Sequence, residues 1–124
     1  MARQFVQWAD ELAGKGIVGY LDENGVITFV IEAGERSPIR GTELFDNMMR
    51  SFGDEAKAIR GVWRVGTNLD KVNELTAQGL LLEEAVQYAW TVTRARRLGF
   101  SKVAVVLQEG QSGQYAKIDV LIEK

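Results

Sequence analysis

The chain contains no histidine and no cysteine, so arginine is the residue type best suited to polar chemistry on a substrate. A guanidinium can bind a phosphate through two hydrogen bonds and can stabilise negative charge in a transition state. Arg60 and Arg64 fall on one face of a strand predicted over residues 58–65, with backbones roughly 13 Å apart at ~3.3 Å per residue. Their long side chains could converge on one phosphodiester group. The alternative is that both face water or pair with carboxylates of a helix.

A second pair of arginines lies in a predicted loop. Arg36 and Arg40 belong to the segment GERSPIRG at 34–41, which Pro38 holds out of a helix. Loops carried on a rigid scaffold often bear function, although a solubilising role is the alternative for these arginines.

The longest predicted helix has a polar face formed, at i, i+4 and i+7, by Gln87, Thr91 and Arg94. Trp90 lies beside that face, and Trp90 or Trp63 could stack on a nucleic-acid base. The alternative is an ordinary amphipathic helix, because most tryptophans in a chain of this size serve the core.

Several kinds of chemistry are excluded by composition. Without histidine or cysteine there is no Ser-His-Asp triad, no zinc-dependent deaminase site and no disulfide. Gly110 and Gly113 lie in a predicted hairpin turn rather than before a helix, so they form no dinucleotide fingerprint. Adjacent carboxylates are predicted to cap helices or face water rather than bind metal: Asp10/Glu11, Asp22/Glu23, Asp54/Glu55 and Glu83/Glu84.

The overall composition is that of a globular protein with one hydrophobic core. The chain has 124 residues, 46% hydrophobic and 26% charged, which fits a single domain. Its net charge of −2 speaks mildly against nucleic acid but allows a local basic patch. Asp10 and Glu11 interrupt any apolar N-terminal run, so no signal peptide is predicted. The longest apolar stretches of the chain are far shorter than the ~20 residues that a membrane span requires, so no membrane segment is predicted either. We therefore expect a cytoplasmic site of action, and the lack of a linker-like N terminus favours a free-standing protein.

In the first half, the spacing of Phe5, Trp8 and Leu12 predicts an amphipathic helix. Strands at 17–21 and 26–32 around the turn sequence DENG are then expected to form a hairpin. Thr42 is predicted to cap a second helix. The core face of that helix would comprise Leu44, Phe45, Met48, Met49 and Phe52.

In the second half, the strand at 58–65 precedes a short helix capped by Thr67 or Asn68 and a long helix at 82–98. A strand at 102–108, apolar on both faces, is predicted to lie centrally in the sheet, beside a last strand at 115–123. The predicted order is α-β-β-α-β-α-α-β-β. This favours an α+β domain over residues 1–124, with a mostly antiparallel five-stranded sheet and about four helices.

An ordered set of motifs runs through the middle of the chain. Its residues are Gly41, Leu44, Phe45 and Met48; Ile59, Gly61 and Trp63; Asn68, Leu69 and Asn73; Glu83, Glu84, Ala85, Trp90 and Thr91; and Gly99, Phe100, Lys102 and Val103. In this order the stretch resembles the C-terminal toxin domains of bacterial polymorphic toxins, which Rhs-repeat and filamentous-haemagglutinin-like proteins carry. It departs from the family pattern at Ala89–Val92, where that pattern reads Thr-Trp-Thr-Gly. The resemblance implies an effector domain, delivered into a target cell if the chain is part of a larger protein.

Three functions are compatible with these residues. The first is a toxin-like effector that cleaves RNA as a metal-independent, histidine-free ribonuclease, with arginine or lysine stabilising the phosphorane. The second is a non-enzymatic binding module, either an immunity or inhibitor protein or a small-ligand binder, whose acidity would complement a basic toxin. The third is an ADP-ribosyltransferase effector, in which Arg40 or Arg60 would hold the dinucleotide phosphates. That chemistry also uses a serine-rich strand and a late Glu-x-Glu, neither of which is present.

For the ribonuclease, the expected partners are RNA and a cognate immunity protein, and no metal or cofactor is expected. The predicted catalytic residues are Arg60, Arg64, Thr91 and Arg94. The predicted substrate-binding residues are Arg40, Trp63, Asn68, Trp90, Tyr115 and Lys117. The sequence leaves the oligomeric state open.

Overall fold

The computed structural model describes residues 2–33 and 37–124, and these form six strands and four α-helices. The contacts divide the chain into two compact units, residues 1–57 (unit 1) and 58–124 (unit 2). The α+β class is confirmed. The observed order is β-β-β-α-β-α-α-α-β-β, so the five-stranded prediction is wrong. A single domain over the whole chain stays a prediction.

Unit 1 is an antiparallel meander with one helix packed on it. Strand β1 (Arg3–Asp10) pairs with β2 (Lys15–Leu21), and β2 pairs with β3 (Val26–Glu32). Helix α1 (Gly41–Phe52) contacts all three strands, and a 3-10 turn (Gly53–Glu55) follows it.

The predicted hairpin at the DENG turn is confirmed. The carboxylate of Asp22 accepts hydrogen bonds from the backbone N–H groups of Asn24, at 2.8 Å, and Val26, at 2.9 Å. Gly25 completes the turn with a φ of 80°, a conformation that glycine adopts without a steric penalty. Local side-chain chemistry therefore fixes the register of β2 and β3.

The predicted N-terminal helix is wrong, because residues 3–10 form β1. The ring of Phe5 lies edge-on to Phe52 of α1 at 6.5 Å, whereas the side chain of Leu12 is fully exposed. The spacing of Phe5, Trp8 and Leu12 fits a helix, but residues 3–9 also alternate between half-buried and exposed positions, as in a strand. Pairing with β2, which local spacing does not reveal, decides between the two.

Helix α1 supplies the core of unit 1, and its predicted core face is confirmed. The buried side chains are Leu44, Phe45, Met48, Met49 and Phe52. Phe45 packs edge-to-face on Phe29 at 5.4 Å. The helix begins at Gly41 with Arg40 as its N-cap residue and no side-chain cap, so the predicted capping by Thr42 is wrong.

Unit 2 contains three strands and three helices: β4 (Ala58–Trp63), α2 (Thr67–Ala77), α3 (Leu82–Ala85), α4 (Trp90–Arg97), β5 (Lys102–Glu109) and β6 (Lys117–Glu123). Strand β6 lies between β4 and β5 and is antiparallel to both. The core face of β6 is formed by Ile118, Val120 and Ile122, which are completely buried. The opposite side of these strands, which carries Lys117 and Asp119, is called the outward face of unit 2.

The predicted long helix of unit 2 and the predicted central position of β5 are both wrong. The long helix expected at 82–98 is interrupted by a 3-10 turn (Val86–Tyr88) and by an extended Ala89 (φ −63°, ψ 145°). Two residues at the interruption, Val86 and Ala89, are buried in the core of unit 2. Strand β5 lies at an edge rather than centrally, and its Val106 side chain is 63% exposed.

Within the described ranges, no helix has both the length and the apolar character needed to cross a membrane.

Candidate functional site

An arginine and an aspartate form a two-point ion pair on the outward face of unit 2. The sheet register places Arg60 of β4 opposite Leu121 and places Asp119 of β6 opposite Val62, so the pair is diagonal across neighbouring strands. Arg60 Nε donates to Asp119 Oδ1 at 3.1 Å, and Arg60 Nη2 donates to Asp119 Oδ2 at 2.6 Å. This fork fixes both the position and the plane of the guanidinium.

The two partners differ in exposure. The Asp119 side chain is 6% exposed, whereas the Arg60 side chain is 51% exposed. Hydrogen bonding by Arg60 lowers the pKa of Asp119; burial acts against this, and the charges of Arg60 and Lys117 add to it. The hydrogen bond and charge of Asp119 raise the pKa of Arg60. The pair therefore stays ionised, with Nη1 and the second hydrogen of Nη2 left over from the fork.

Lys117 is the second cation of this site. It lies two residues before Asp119 on the same face of β6, and its charge contributes to the lowered pKa of Asp119. Arg64 is exposed, but it lies in a bend beyond the end of β4 at Trp63. The strand predicted over 58–65 therefore ends two residues earlier than expected, and Arg64 lies outside it.

Trp63 is placed in the core and not on the surface. Its side chain is 5% exposed, and a Cβ atom at Gly61 would come within 2.6 Å of its indole Nε1. Gly61 therefore makes room for the ring of Trp63, which explains why both residues occur in one motif. A ring buried in this way is not open to stacking on a base.

Two predicted site residues, Asn68 and Thr91, bind each other. The Asn68 side chain donates to Thr91 Oγ1 and accepts the backbone N–H of Thr91, both at 2.9 Å. Thr91 is the second residue of α4, and its side chain is buried. Asn68, in the first turn of α2, thus supplies the cap that α4 lacks from its own sequence.

A second asparagine of α2 acts in the same way on the loop between β5 and β6. The Asn73 side chain donates to the carbonyl oxygen of Tyr115 at 3.0 Å and accepts the N–H of Tyr115 at 2.7 Å. Thr76 Oγ1 accepts the N–H of Gly113 at 2.8 Å. The Asn-Leu-x-x-x-Asn motif at 68–73 therefore positions backbone, and Tyr115 is a buried anchor of the loop.

The remaining candidates are not brought to Arg60 by any contact described. Trp90 and Arg94 are half-buried on α4, and each is already engaged by another group. Arg40 is exposed at the start of α1 in unit 1. Arg36 lies outside the described residues.

Unit 1 also contains an acidic cavity of about 380 Å³, lined by Leu21, Asp22, Glu23, Asn24, Gly25, Asp54, Glu55 and Lys57. Two of its carboxylates already have partners, since Asp22 caps its own turn and Glu55 pairs with Arg3 at 3.2 Å. Across the described part of the chain, no group of three acidic side chains is arranged to hold a metal ion. This cavity is therefore a weaker candidate than the face around Arg60.

Asp119 was missed by sequence reasoning. The alternation of Ile118, Val120 and Ile122 already places residue 119 on the opposite face, but only the pairing of β6 with β4 brings it to Arg60. Comparison with protein-family models, curated proteins and solved structures found no match.

Proposed function

We propose that unit 2 binds an RNA phosphodiester at its outward face and cleaves it without a metal ion, as a toxin-like ribonuclease. One observation carries the proposal: Arg60 is locked by a nearly buried carboxylate while half of its own side chain remains exposed. An arginine fixed in this way is preorganised, so binding an anion does not require it to reorganise.

The chemistry follows from the two cations. The RNA 2′-hydroxyl loses its proton to solvent water and attacks the adjacent phosphorus, giving a pentavalent phosphorane. The P–O5′ bond then breaks and the leaving 5′-oxygen takes a proton from water, so the products are a 2′,3′-cyclic phosphate and a free 5′-hydroxyl. The N–H groups of Arg60 outside the fork donate to the non-bridging oxygens, where negative charge accumulates. Lys117 adds positive charge beside them. Asp119, held as a carboxylate, positions Arg60 and is poorly suited to be a general base at neutral pH.

The distribution of charge supports an anionic substrate for unit 2. Unit 1 contains ten acidic and six basic residues, a net charge of −4. Unit 2 contains nine basic and seven acidic residues, a net charge of +2. The acidic balance of the whole chain therefore arises in unit 1 and does not count against phosphate binding in unit 2.

The test is cleavage of a labelled single-stranded RNA by the full chain in the presence of a metal chelator. We expect Arg60→Ala to reduce the rate constant about 100-fold or more, the usual effect of removing one transition-state donor. Arg97→Ala is the matched control, because Arg97 is an exposed arginine of the same unit on α4. Circular dichroism would establish that both variants fold.

The comparison of Arg60→Ala with Arg97→Ala distinguishes a site at Arg60 from a general loss of activity. Loss of activity in Arg60→Ala with retention in Arg97→Ala supports the site. If the unaltered chain leaves RNA intact, or if Arg60→Ala cleaves as fast as the unaltered chain, the proposal is wrong. Comparison of the double variant Arg60→Ala/Arg64→Ala with Arg60→Ala shows whether the exposed Arg64 contributes to RNA binding beyond the contribution of Arg60.

A second candidate, a protein-binding module, is favoured by the strand face of unit 1 turned away from α1. The register places Val6, Val18 and Val30 side by side across β1, β2 and β3. Trp8 and Tyr20 flank this row at 48% and 52% exposure. Such a face on an acidic unit suits a basic partner protein.

This candidate has its own test. A basic protein retained by the unaltered chain should be released by Val30→Lys, which places a cation in the row of valines. Lys71→Ala, an exposed substitution on α2, is the control. Retention of the same protein by Val30→Lys would exclude the face as its binding surface.

A further inference from the structure

Strand β5 presents an open edge. It pairs with β6 on one side, and on its other side none of residues 2–33 and 37–124 forms a strand pair with it. Half of its backbone N–H and C=O groups therefore face outwards with no strand to bind them. The edge is also apolar, because Val106 is 63% exposed and Leu107 is 43% exposed.

Strand β5 carries opposite charges at its two ends. The strand begins with Lys102 and ends with Glu109, and the residues between them carry no charge. In an antiparallel pair of two such strands, the first residue of one lies opposite the last residue of the other. The two-fold symmetry of the pair would then place Lys102 of each copy opposite Glu109 of the other copy.

An irregularity of β5 makes this match possible. The register shifts between Val105 and Leu107, so that Lys102 lies opposite Glu123 and Glu109 lies opposite Lys117. Both end residues therefore point to the outward face of unit 2. In a regular strand, residues seven positions apart would point to opposite faces, and the two charges could not meet.

We propose that β5 pairs antiparallel with β5 of a second copy of this chain, about a two-fold axis between Val105 and Val106. In this register Lys102 faces Glu109 of the second copy. Ala104 faces Leu107 of the second copy, and both of these point outward. The interface is isologous, so it closes as a dimer and does not propagate into a filament.

Strand β1, the corresponding edge of unit 1, does not offer the same match. Its first residue, Arg3, is a cation, but the Arg3 guanidinium is already bound to Glu55 at 3.2 Å. It also donates to the carbonyl oxygens of Ser51 and Phe52. The end charges of β5 have no such ion pair within their own chain among the described residues.

The first experiment is a charge swap measured by sedimentation equilibrium of the full chain over a concentration series. Glu109→Lys or Lys102→Glu places like charges opposite each other at two symmetric positions. We expect each variant to raise the dissociation constant of the dimer about tenfold. The double variant Lys102→Glu/Glu109→Lys should restore it to near its original value.

The double variant distinguishes pairing between copies from a change within one copy. Within a copy, Lys102 lies beside Glu123 and Glu109 lies beside Lys117. In the double variant, residue 102 and Glu123 are both negative, and residue 109 and Lys117 are both positive. The charge pairs within one copy are then repulsive, so a restored dimer must come from pairing between copies. Failure of the double variant to restore association would overturn the proposed register.

A matched pair of edge substitutions tests the location independently. Leu107→Lys on β5 and Val6→Lys on β1 each place a lysine at an edge residue of similar exposure, 43% and 45%. We expect Leu107→Lys alone to give the monomer mass. A chain that is monomeric throughout the series, or a dimer that survives Leu107→Lys, would contradict the proposal.

Discussion

In residues 1–57 each described strand pair joins strands that are neighbours in the sequence. In residues 58–124, by contrast, β4 pairs with β6 although three α-helices and β5 lie between them in the sequence. The ion pair of Arg60 and Asp119 spans 59 residues of sequence. In unit 1, turn chemistry such as that of Asp22 sets the register. In unit 2 the register depends on contacts that exist only after most of the unit has assembled.

The units also differ in how they hold their irregular backbone. In unit 1, α1 covers the strands through buried apolar side chains. In unit 2, three polar side chains of α2 bind backbone groups elsewhere: Asn68, Asn73 and Thr76. The broken helix and the loop before β6 lie outside the strand ladders, and the N–H groups of Thr91, Gly113 and Tyr115 bind these side chains instead.

The largest effect should come from emptying the core of unit 1. Phe45 is completely buried and packs on Phe29, so Phe45→Ala should lower the free energy of unfolding by about 3–5 kcal/mol, measured by denaturant titration. Leu12→Ala removes an equally apolar but fully exposed side chain and should change stability by about 0.5 kcal/mol or less. Equal effects would mean that packing under α1 does not dominate unit 1.

A smaller effect should follow from removing a backbone partner in unit 2. Asn73→Ala leaves the N–H and C=O of Tyr115 without their partners and should cost about 1–3 kcal/mol. Asn47→Ala in unit 1 is the matched change, because Asn47 is also half-buried but bonds only side chains, those of Gln7 and Arg50. We expect that change to cost about 0.5 kcal/mol in the same denaturant titration. A cost for Asn47→Ala as large as for Asn73→Ala would remove the contrast between the units.

The smallest effect is a pH dependence that belongs to unit 2. Because the pKa of Asp119 is lowered in the folded protein, its ion pair stabilises the fold above the unfolded-state pKa of about 3.9. That contribution is lost as the pH falls through the lowered value. The stability difference between the unaltered chain and Asp119→Asn should therefore shrink below about pH 4 in thermal melts. A stability difference that is constant with pH would show that Asp119 stabilises the fold through the shape of its side chain and not through its charge.

Local chemistry explains which elements could be predicted from the sequence. The hairpin at Asp22 to Gly25 and the core face of α1 follow from turn residues and from spacing within one helix. The N-terminal strand could not be recognised, because Phe5 and Trp8 satisfy helical spacing and also lie in an alternating stretch. Only the pairing of β1 with β2 resolves the ambiguity.

The candidate site was predictable only in part, for the same reason. Arg60 and Lys117 were identified as cations able to bind phosphate, but nothing in their local sequence indicates that Asp119 fixes one of them. Asn68 and Thr91 were identified as site residues, although they bind each other and cap α4. A polar residue on a helix looks the same in sequence whether it contacts a substrate or a distant backbone group.

The pairing of β4 with β6 has a consequence for synthesis on the ribosome. Strand β4 ends at Trp63, but the strand that covers its edge is complete only at Glu123. At the usual rate of peptide elongation that delay lasts about 3–12 s, during which unit 1 can already fold. Throughout that interval Ile59 and Trp63 lie on a nascent strand that lacks its β6 partner, a segment suited to transient capture by a chaperone.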